Sequence, residues 1–252
     1  MILTKELQGK NILITGAAKG IGSGIALNAA SKGANIAVHY LGSEEEALRT
    51  AKDIRELGVN AITVKGDIAI YNDVQQMKVQ LDKDFGHIDG LVNNAGWAQM
   101  KSFFKYKPEE WQREIDVCFN GVLNLAYTFV PSMKDKKQGK FINIVGDSAR
   151  TGDRHLIVSG AARNGTIGFM KSLAREVGND NIQCNTASLG LIDQGTFDFD
   201  DETMNKIVKQ YPLKKLGSVN DVAETILFLL SDDSDWITGQ VISVNGGHSM
   251  LG

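Results

Sequence analysis

The residues whose types and spacing could do chemistry begin close to the start of the chain. Thr15-Gly16-Ala17-Ala18-Lys19-Gly20-Ile21-Gly22 follows the apolar run Asn11 to Thr15 and leads directly into a helical pattern. Glycines at a strand-to-helix turn let the backbone approach a pyrophosphate, and the unpaired N–H groups and positive dipole end of the helix favour an anion. A tight turn with no ligand is the competing reading. The spacing is GxxxGxG, not the GxGxxG of the ordinary dinucleotide motif. His155, with Asp147 and Asp153 nearby in sequence, is a candidate proton carrier, because an imidazole is the side chain best matched to neutral pH. Its competing reading is an exposed loop histidine. Cys118 and Cys184 form no CxxC pair and have no histidine cluster beside them, so no disulfide framework and no metal site are expected.

Positioning such a turn takes strands and helices in alternation. Short β-branched or apolar runs recur at Asn11 to Thr15, Asn35 to Tyr40, Ala61 to Lys65, Ile88 to Val92, Lys140 to Val145, Ile182 to Ala187 and Val241 to Val244. Helical periodicity fills the intervals: Ile25 to Ser31, Glu44 to Leu57, Val74 to Phe85, Trp111 to Met133, Gly160 to Val177 and Val219 to Leu230. Strand alternating with helix implies crossover connections, hence an α/β fold with a mostly parallel sheet covered on both faces. Ligands of such sheets sit beyond the carboxyl ends of the strands, so chemistry is to be sought just after each strand.

A length of 252 residues is compatible with one large α/β domain or two small ones, at roughly 150 residues per domain. With three Pro, no repeat and no composition break, the chain reads as a single domain over 1–252. Lys plus Arg at 27 against Asp plus Glu at 30 leaves a net charge of −3, which argues against nucleic acid and against a polybasic membrane surface. No apolar run reaches the roughly 18 residues of a membrane span. Lys5, Glu6 and Lys10 interrupt the N-terminal apolar stretch, so a cytoplasmic location is expected.

The chain closely resembles the short-chain dehydrogenase/reductase family over essentially its whole length. The motifs that carry the resemblance are the Thr15 to Gly22 turn, Gly66-Asp67-Ile68, Asn93-Asn94-Ala95-Gly96 and Val244-Asn245-Gly246-Gly247. The resemblance implies a Rossmann-like, doubly wound sheet of seven parallel strands and an NAD(H) or NADP(H) cofactor. By the same resemblance Gly16, Lys19, Gly20, Ile21 and Gly22 would hold the pyrophosphate, and Asp67, with Ile68 beside it, would reach the adenine. The backbone around Asn93, Ala95 and Gly96 would line the nucleotide. A turn carboxylate for Asp67 and a strand-tying loop for Asn93-Asn94 stand as equal alternatives. Tyr40 occupies the place at the end of the second strand where NAD-binding sites carry an acid, and Lys19 could meet a 2′-phosphate.

The family's chemistry runs on an Asn, a Ser, and a Tyr and Lys one helical turn apart. Flanking motifs locate all of these positions here, on Cys118, Gly146, Ser159 and Arg163. Asn120 lies close by but its distance to Gly139 does not fit the family gap, and Ser148, two residues beyond Gly146, could be a displaced substitute for the Ser. Leu189 stands for the family's Pro, and Gln194 for a Thr that touches the cofactor. A serine hydroxyl is a far weaker acid than a phenol, and a guanidinium differs from an ammonium in shape and bulk.

These losses imply a chain with no catalytic residues of the usual kind and with cofactor binding weakened or lost. The expectation is a non-catalytic subunit that assembles with a catalytic paralogue, as a heterotetramer, into an NAD(P)-dependent hydroxyacyl or alcohol dehydrogenase. It would be similar in kind to the inactive subunit of the heteromeric dehydrogenase acting on 2-[hydroxy(phenyl)methyl]succinyl-CoA. Two alternatives stand beside it: an active NAD(P)-dependent oxidoreductase, in a homotetramer, whose acid and base function has moved to His155, and a nucleotide-responsive binding protein.

Overall fold

Runs such as Asn11–Thr15, NILIT, alternate their side chains between two apolar layers. Ile12 and Ile14 face one core, with Ile36, Val38, Val92 and Ile142, while Leu13 faces the other, with Ala37, Leu91 and Phe141. That period of two, apolar on both faces, is what a strand buried between helices requires. The computed structural model describes residues 6–195, 197 and 199–251. Lys5, Gly252, and Thr196 and Asp198 of the 193–201 loop lie outside the described residues.

The strands are β1 (Asn11–Thr15), β2 (Asn35–Tyr40), β3 (Ala61–Lys65), β4 (Gly90–Asn93), β5 (Gly139–Gly146), β6 (Ile182–Leu189), β7 (Ile192–Asp193), β8 (Gly217–Ser218) and β9 (Val241–Val244). The helices are α1 (Gly20–Ser31), α2 (Glu44–Glu56), α3 (Tyr71–Asp84), α4 (Pro108–Ile115), α5 (Gly121–Lys136), α6 (Ser148–Thr151), α7 (Ile157–Val177), α8 (Asp201–Lys209) and α9 (Val219–Leu230). Seven strands form one parallel sheet in the order β3-β2-β1-β4-β5-β6-β9, and β7 pairs with β8 apart from it. The order reverses between β1 and β4, and the crevice at that reversal is where a doubly wound sheet takes its ligand.

The expected strands all form, β1, β2, β3 and β9 with the expected bounds and β4, β5 and β6 with shifted ends. β4 begins at Gly90 instead of Ile88, and a Cβ on Gly90 would lie 2.7 Å from the terminal methyls of Ile12 and Leu230. The continuous helix expected from Trp111 to Met133 is interrupted. A π-helical turn, Asp116–Asn120, joins α4 to α5 and shifts the facing of everything after it. Such turns occur frequently at functional sites. α8 lies outside the helical stretches expected from periodicity, and Asp200 caps it by accepting from Thr203 N–H at 2.7 Å. Among the described residues no helix is long and apolar enough to cross a membrane.

Candidate active site

Two chambers open at the carboxyl ends of the strands, on either side of the phosphate turn. The outer one, about 490 Å³, is lined by Gly16, Lys19, Tyr40, Asp67, Ile68, Ala95 and Gly96 of the expected residues. Asn94, part of the expected Asn93 to Gly96 segment, lines it as well, together with His39, Trp97 and Arg113, none of these three expected. The inner one, about 450 Å³, is lined by Lys19, Ile21, Gly96, Gly146 and Arg163 with apolar Ile144, Val145, Leu191 and Phe197. Lys19, Asn94 and Gly96 border both, so the chambers form one cleft. Gly20, Gly22 and Asn93 line neither and act behind it.

The turn is held tight by its glycines. Gly16 and Gly20 adopt φ of 62° and 61°, the left-handed region that a side chain disfavours. A Cβ on Gly22 would overlap the Gly16 carbonyl oxygen and stand 2.7 Å from Asn94 Nδ2. That same Asn94 amide donates to the carbonyls of Thr15 and Gly16, both at 3.1 Å. His39 fixes the turn from the other side. Its Nδ1 accepts from Gly16 N–H at 3.1 Å, so Nε2 carries the proton and donates to Gly66 O at 2.9 Å. Burial pushes the His39 pKa down to about 4, against weaker opposing effects of the Gly66 carbonyl and Asp67, and this neutral ring ties the phosphate turn to the turn after β3.

Asn93 is a strand tie and not a lining residue. Thr15 Oγ1 donates to Asn93 Oδ1 at 2.7 Å, Asn93 Nδ2 to Asn143 Oδ1 at 2.9 Å, Asn143 Nδ2 to Thr166 Oγ1 at 2.9 Å, and Thr166 Oγ1 to Arg163 O at 2.7 Å. This buried chain runs from β1 through β4 and β5 into α7, and it fixes the backbone that carries Arg163. Every donor in it has an acceptor, as a buried polar network requires. Asp67 is also engaged. Its Oδ1 accepts from Ala69 N–H at 3.0 Å and its Oδ2 pairs with Arg113 at 2.8 Å, so the outer chamber presents a neutralised carboxylate and a guanidinium. Tyr40 is buried in the wall, its phenol pushed above the ordinary range by burial and then by Glu44.

Comparison with known proteins agrees with this geometry. A family profile described as Enoyl-(Acyl carrier protein) reductase matches residues 16–249. The chain is 36% identical, over 96% of its length and 99% of the relative, to the 3-oxoacyl-[acyl-carrier-protein] reductase FabG of Staphylococcus epidermidis. It is 36% identical to the same enzyme of Staphylococcus aureus, over 96% of this chain and 98% of that one. The chain belongs to the short-chain dehydrogenase/reductase family. A crystal structure of a chain assigned as a short-chain alcohol dehydrogenase from Sinorhizobium meliloti 1021 superimposes with a TM-score of 0.92 at 27% identity, covering 97% of this chain and 98% of that one.

Membership at this level corrects the expectation of a non-catalytic subunit. A short-chain dehydrogenase/reductase 36% identical to curated reductases across 96% of its length stands with the active enzymes of the family, not with a decayed partner chain. The relocation of acid and base function to His155 is corrected as well. His155 is exposed, has a left-handed backbone (φ 68°), lines neither chamber, and serves through its carbonyl, which accepts from Lys101 N–H at 3.1 Å.

At the family's reacting positions the structure shows four different situations. Ser159 is buried, and its hydroxyl turns back on its own helix toward Leu156 O at 3.4 Å. Cys118 sits buried in the π-turn, its thiol donating to Trp97 O at 3.0 Å. Gly146 lines the inner chamber and leaves room there, with Ser148 Oγ directed past it, 3.3 Å from where a Cβ would stand. Asn120 donates to Asp116 Oδ1 at 2.8 Å and faces away. Arg163, like Gln194, puts a polar side chain into the chamber. It is half-buried, and its guanidinium lies directly on Gly96, where a Cβ would be 3.1 Å from Cζ. Gln194 reaches over the turn, so that a Cβ on Gly20 would meet its carboxamide.

Proposed function

We infer that this chain, by itself, is an NAD(P)-dependent oxidoreductase that reduces the carbonyl of an acyl chain carried as a thioester. The observation that carries the reading is the continuous cleft from the glycine turn to Arg163, in a chain that matches 3-oxoacyl-[acyl-carrier-protein] reductases along its length. The residues present fit a dinucleotide. The glycine turn has no room for side chains, Lys19 borders both chambers, and the acid nearest the outer chamber is already paired with Arg113. Bound there, the reduced nicotinamide supplies a hydride to the carbonyl carbon.

The chain's own residues do the rest. Gly16 and the N-terminus of α1 offer backbone N–H groups to the pyrophosphate. Lys19 adds positive charge beside them, and, with Tyr40 where an acid would accept from ribose hydroxyls, it favours a 2′-phosphate. Ile144, Val145, Leu191 and Phe197 give the inner chamber an apolar wall suited to an acyl chain. Arg163 directs fixed N–H donors and a permanent charge at the oxygen on which negative charge develops during reduction. Proton delivery falls to water in the open chamber, because Ser159 and Cys118 hold their protons against backbone carbonyls.

Two further elements belong to the proposal. An apolar groove of about 710 Å³ between α5 and α7, lined by Leu123, Tyr127, Val130, Phe169 and Leu173 with Tyr71 of α3 at its side, suits packing against a second copy of the chain, in a homotetramer. A reducing compartment such as the cytoplasm suits its two thiols, both unbridged and buried, the Cys184 thiol being pushed up to about 12 by burial. Calorimetric titration of the purified chain with NADPH and NADH tests the cofactor reading. Saturable binding is expected with both, tighter for NADPH, and absence of heat with either would overturn it.

A further inference from the structure

Glu114 is a buried acid in α4 that the mechanism above does not use. It is completely buried, and among the described residues no cation lies within ion-pair distance. Its Oε1 accepts from Gln99 N–H at 3.0 Å and meets Tyr106 Oη at 2.6 Å, while Oε2 is buried without any hydrogen-bond partner. A carboxyl in that setting costs stability unless its geometry returns something, because neither solvation nor a counter-charge offsets its burial.

What it returns is a wall. Gln99 and Tyr106 bracket the segment that leaves Asn93-Asn94-Ala95-Gly96, and Trp97 at its start lines the outer chamber. α4 and the π-turn grip this segment at three depths: Cys118 at Trp97 O, Glu114 at Gln99 N–H and Tyr106 Oη, and Glu110 at Lys101 Nζ (2.7 Å) and Lys107 N–H (2.7 Å). Glu110 is on the surface and Cys118 offers one weak thiol bond, so the buried grip is the strongest. Lys101 in turn covers the Tyr106 ring, its ammonium 4.4 Å from the centroid, and its N–H reaches His155 O on the loop before α7.

The geometry points to Glu114 as a positioning residue of the cofactor cleft: it clamps the Trp97–Tyr106 segment against α4 and so holds the wall that closes the outer chamber. This rests on the outer chamber being the dinucleotide site. Glu114→Gln keeps an acceptor for Gln99 N–H and a polar partner for Tyr106, whereas Glu114→Leu fills the space and strips both.

The test is calorimetric dissociation constants for NADPH, with kcat and cofactor KM, together with the rate of tryptic cleavage after Lys101 and Lys105. Glu114→Leu is expected to weaken cofactor binding by about tenfold, the value of one to two hydrogen bonds, with kcat at saturating cofactor nearly unchanged. Cleavage in the segment should accelerate, and saturating NADPH should suppress it. Glu114→Gln should restore binding. Tyr106→Phe, a milder change suited to the case in which Glu114→Leu does not fold, should weaken binding by about threefold. Folded Glu114→Leu and Tyr106→Phe variants with wild-type dissociation constants and cleavage rates would overturn the assignment. If wild type itself binds neither nucleotide, it is the dinucleotide reading of the cleft that has failed.

Discussion

Arg163→Ala is expected to lower kcat by roughly 100- to 1000-fold, the usual cost of removing a preorganised donor from a developing oxyanion. The side chain is half-buried against Gly96, in a chamber walled by Ile144, Val145, Leu191 and Phe197 as well as by the polar Lys19, Asn94 and Gln194. Ser159 and Cys118 do not replace it, since their protons point at backbone carbonyls. Arg163→Lys keeps the charge but loses the planar fork, and should fall between wild type and alanine. The substitution leaves the buried chain through Thr166 intact, because that chain ends on the Arg163 carbonyl and not on its side chain. Folding should therefore survive, and steady-state kinetics on both variants measures the effect. An unchanged kcat in Arg163→Ala would remove the guanidinium from the chemistry.

A second large effect is expected in acid. His39 has a pKa lowered from 6.5 to about 4 in the folded chain, so the unfolded chain takes up this proton first as pH falls. The stability it contributes is whole above pH 6.5 and is lost progressively as pH drops toward 4. Between about pH 7 and about pH 4.5 the loss amounts to roughly 2 to 3 kcal/mol from this ring alone. Protonation would also remove the Nδ1 acceptor of Gly16 N–H, so the phosphate turn loosens as the ring charges. His39→Gln, which retains an acceptor and a donor and does not titrate, should flatten the acid side of the stability profile by that amount. Denaturant unfolding of both proteins at the two pH values decides it, and parallel profiles would show that the ring does not govern acid stability.

The seven-stranded fold was legible because each strand is apolar on both faces and each ends at a turn with its own signature. The glycine turn was legible for the same reason: strand, glycines and helix agree locally. What escaped was whatever depends on partners distant in sequence. His39 offered no constellation because its partners are the backbone atoms of Gly16 and Gly66, which carry no side-chain signal. Arg113 and Glu114 sit in Glu-Glu-Trp-Gln-Arg-Glu, which reads as a solvated helix face, yet one reaches the outer chamber and the other is completely buried. Asn93 and Asn94 are adjacent and alike in sequence, and only the pleat decides that the first ties strands while the second borders the cleft. Flanking motifs assign the family's reacting positions to Cys118, Gly146, Ser159 and Arg163, and inferring inactivity from those substitutions treats one proton relay as the whole of catalysis. The chamber retains a positioned charge, and the identity to working reductases spans the chain.

The most direct measurement is turnover by the homogeneous polypeptide with no other protein present: NADPH, a 3-oxoacyl thioester, and the decay of reduced-nicotinamide absorbance. Oxidation of the nucleotide is predicted to require the thioester, to scale with the amount of chain, and to yield the 3-hydroxyacyl product in equal amount. A preparation that binds the nucleotide yet consumes it no faster than the protein-free mixture, across thioesters of several chain lengths, would contradict the account.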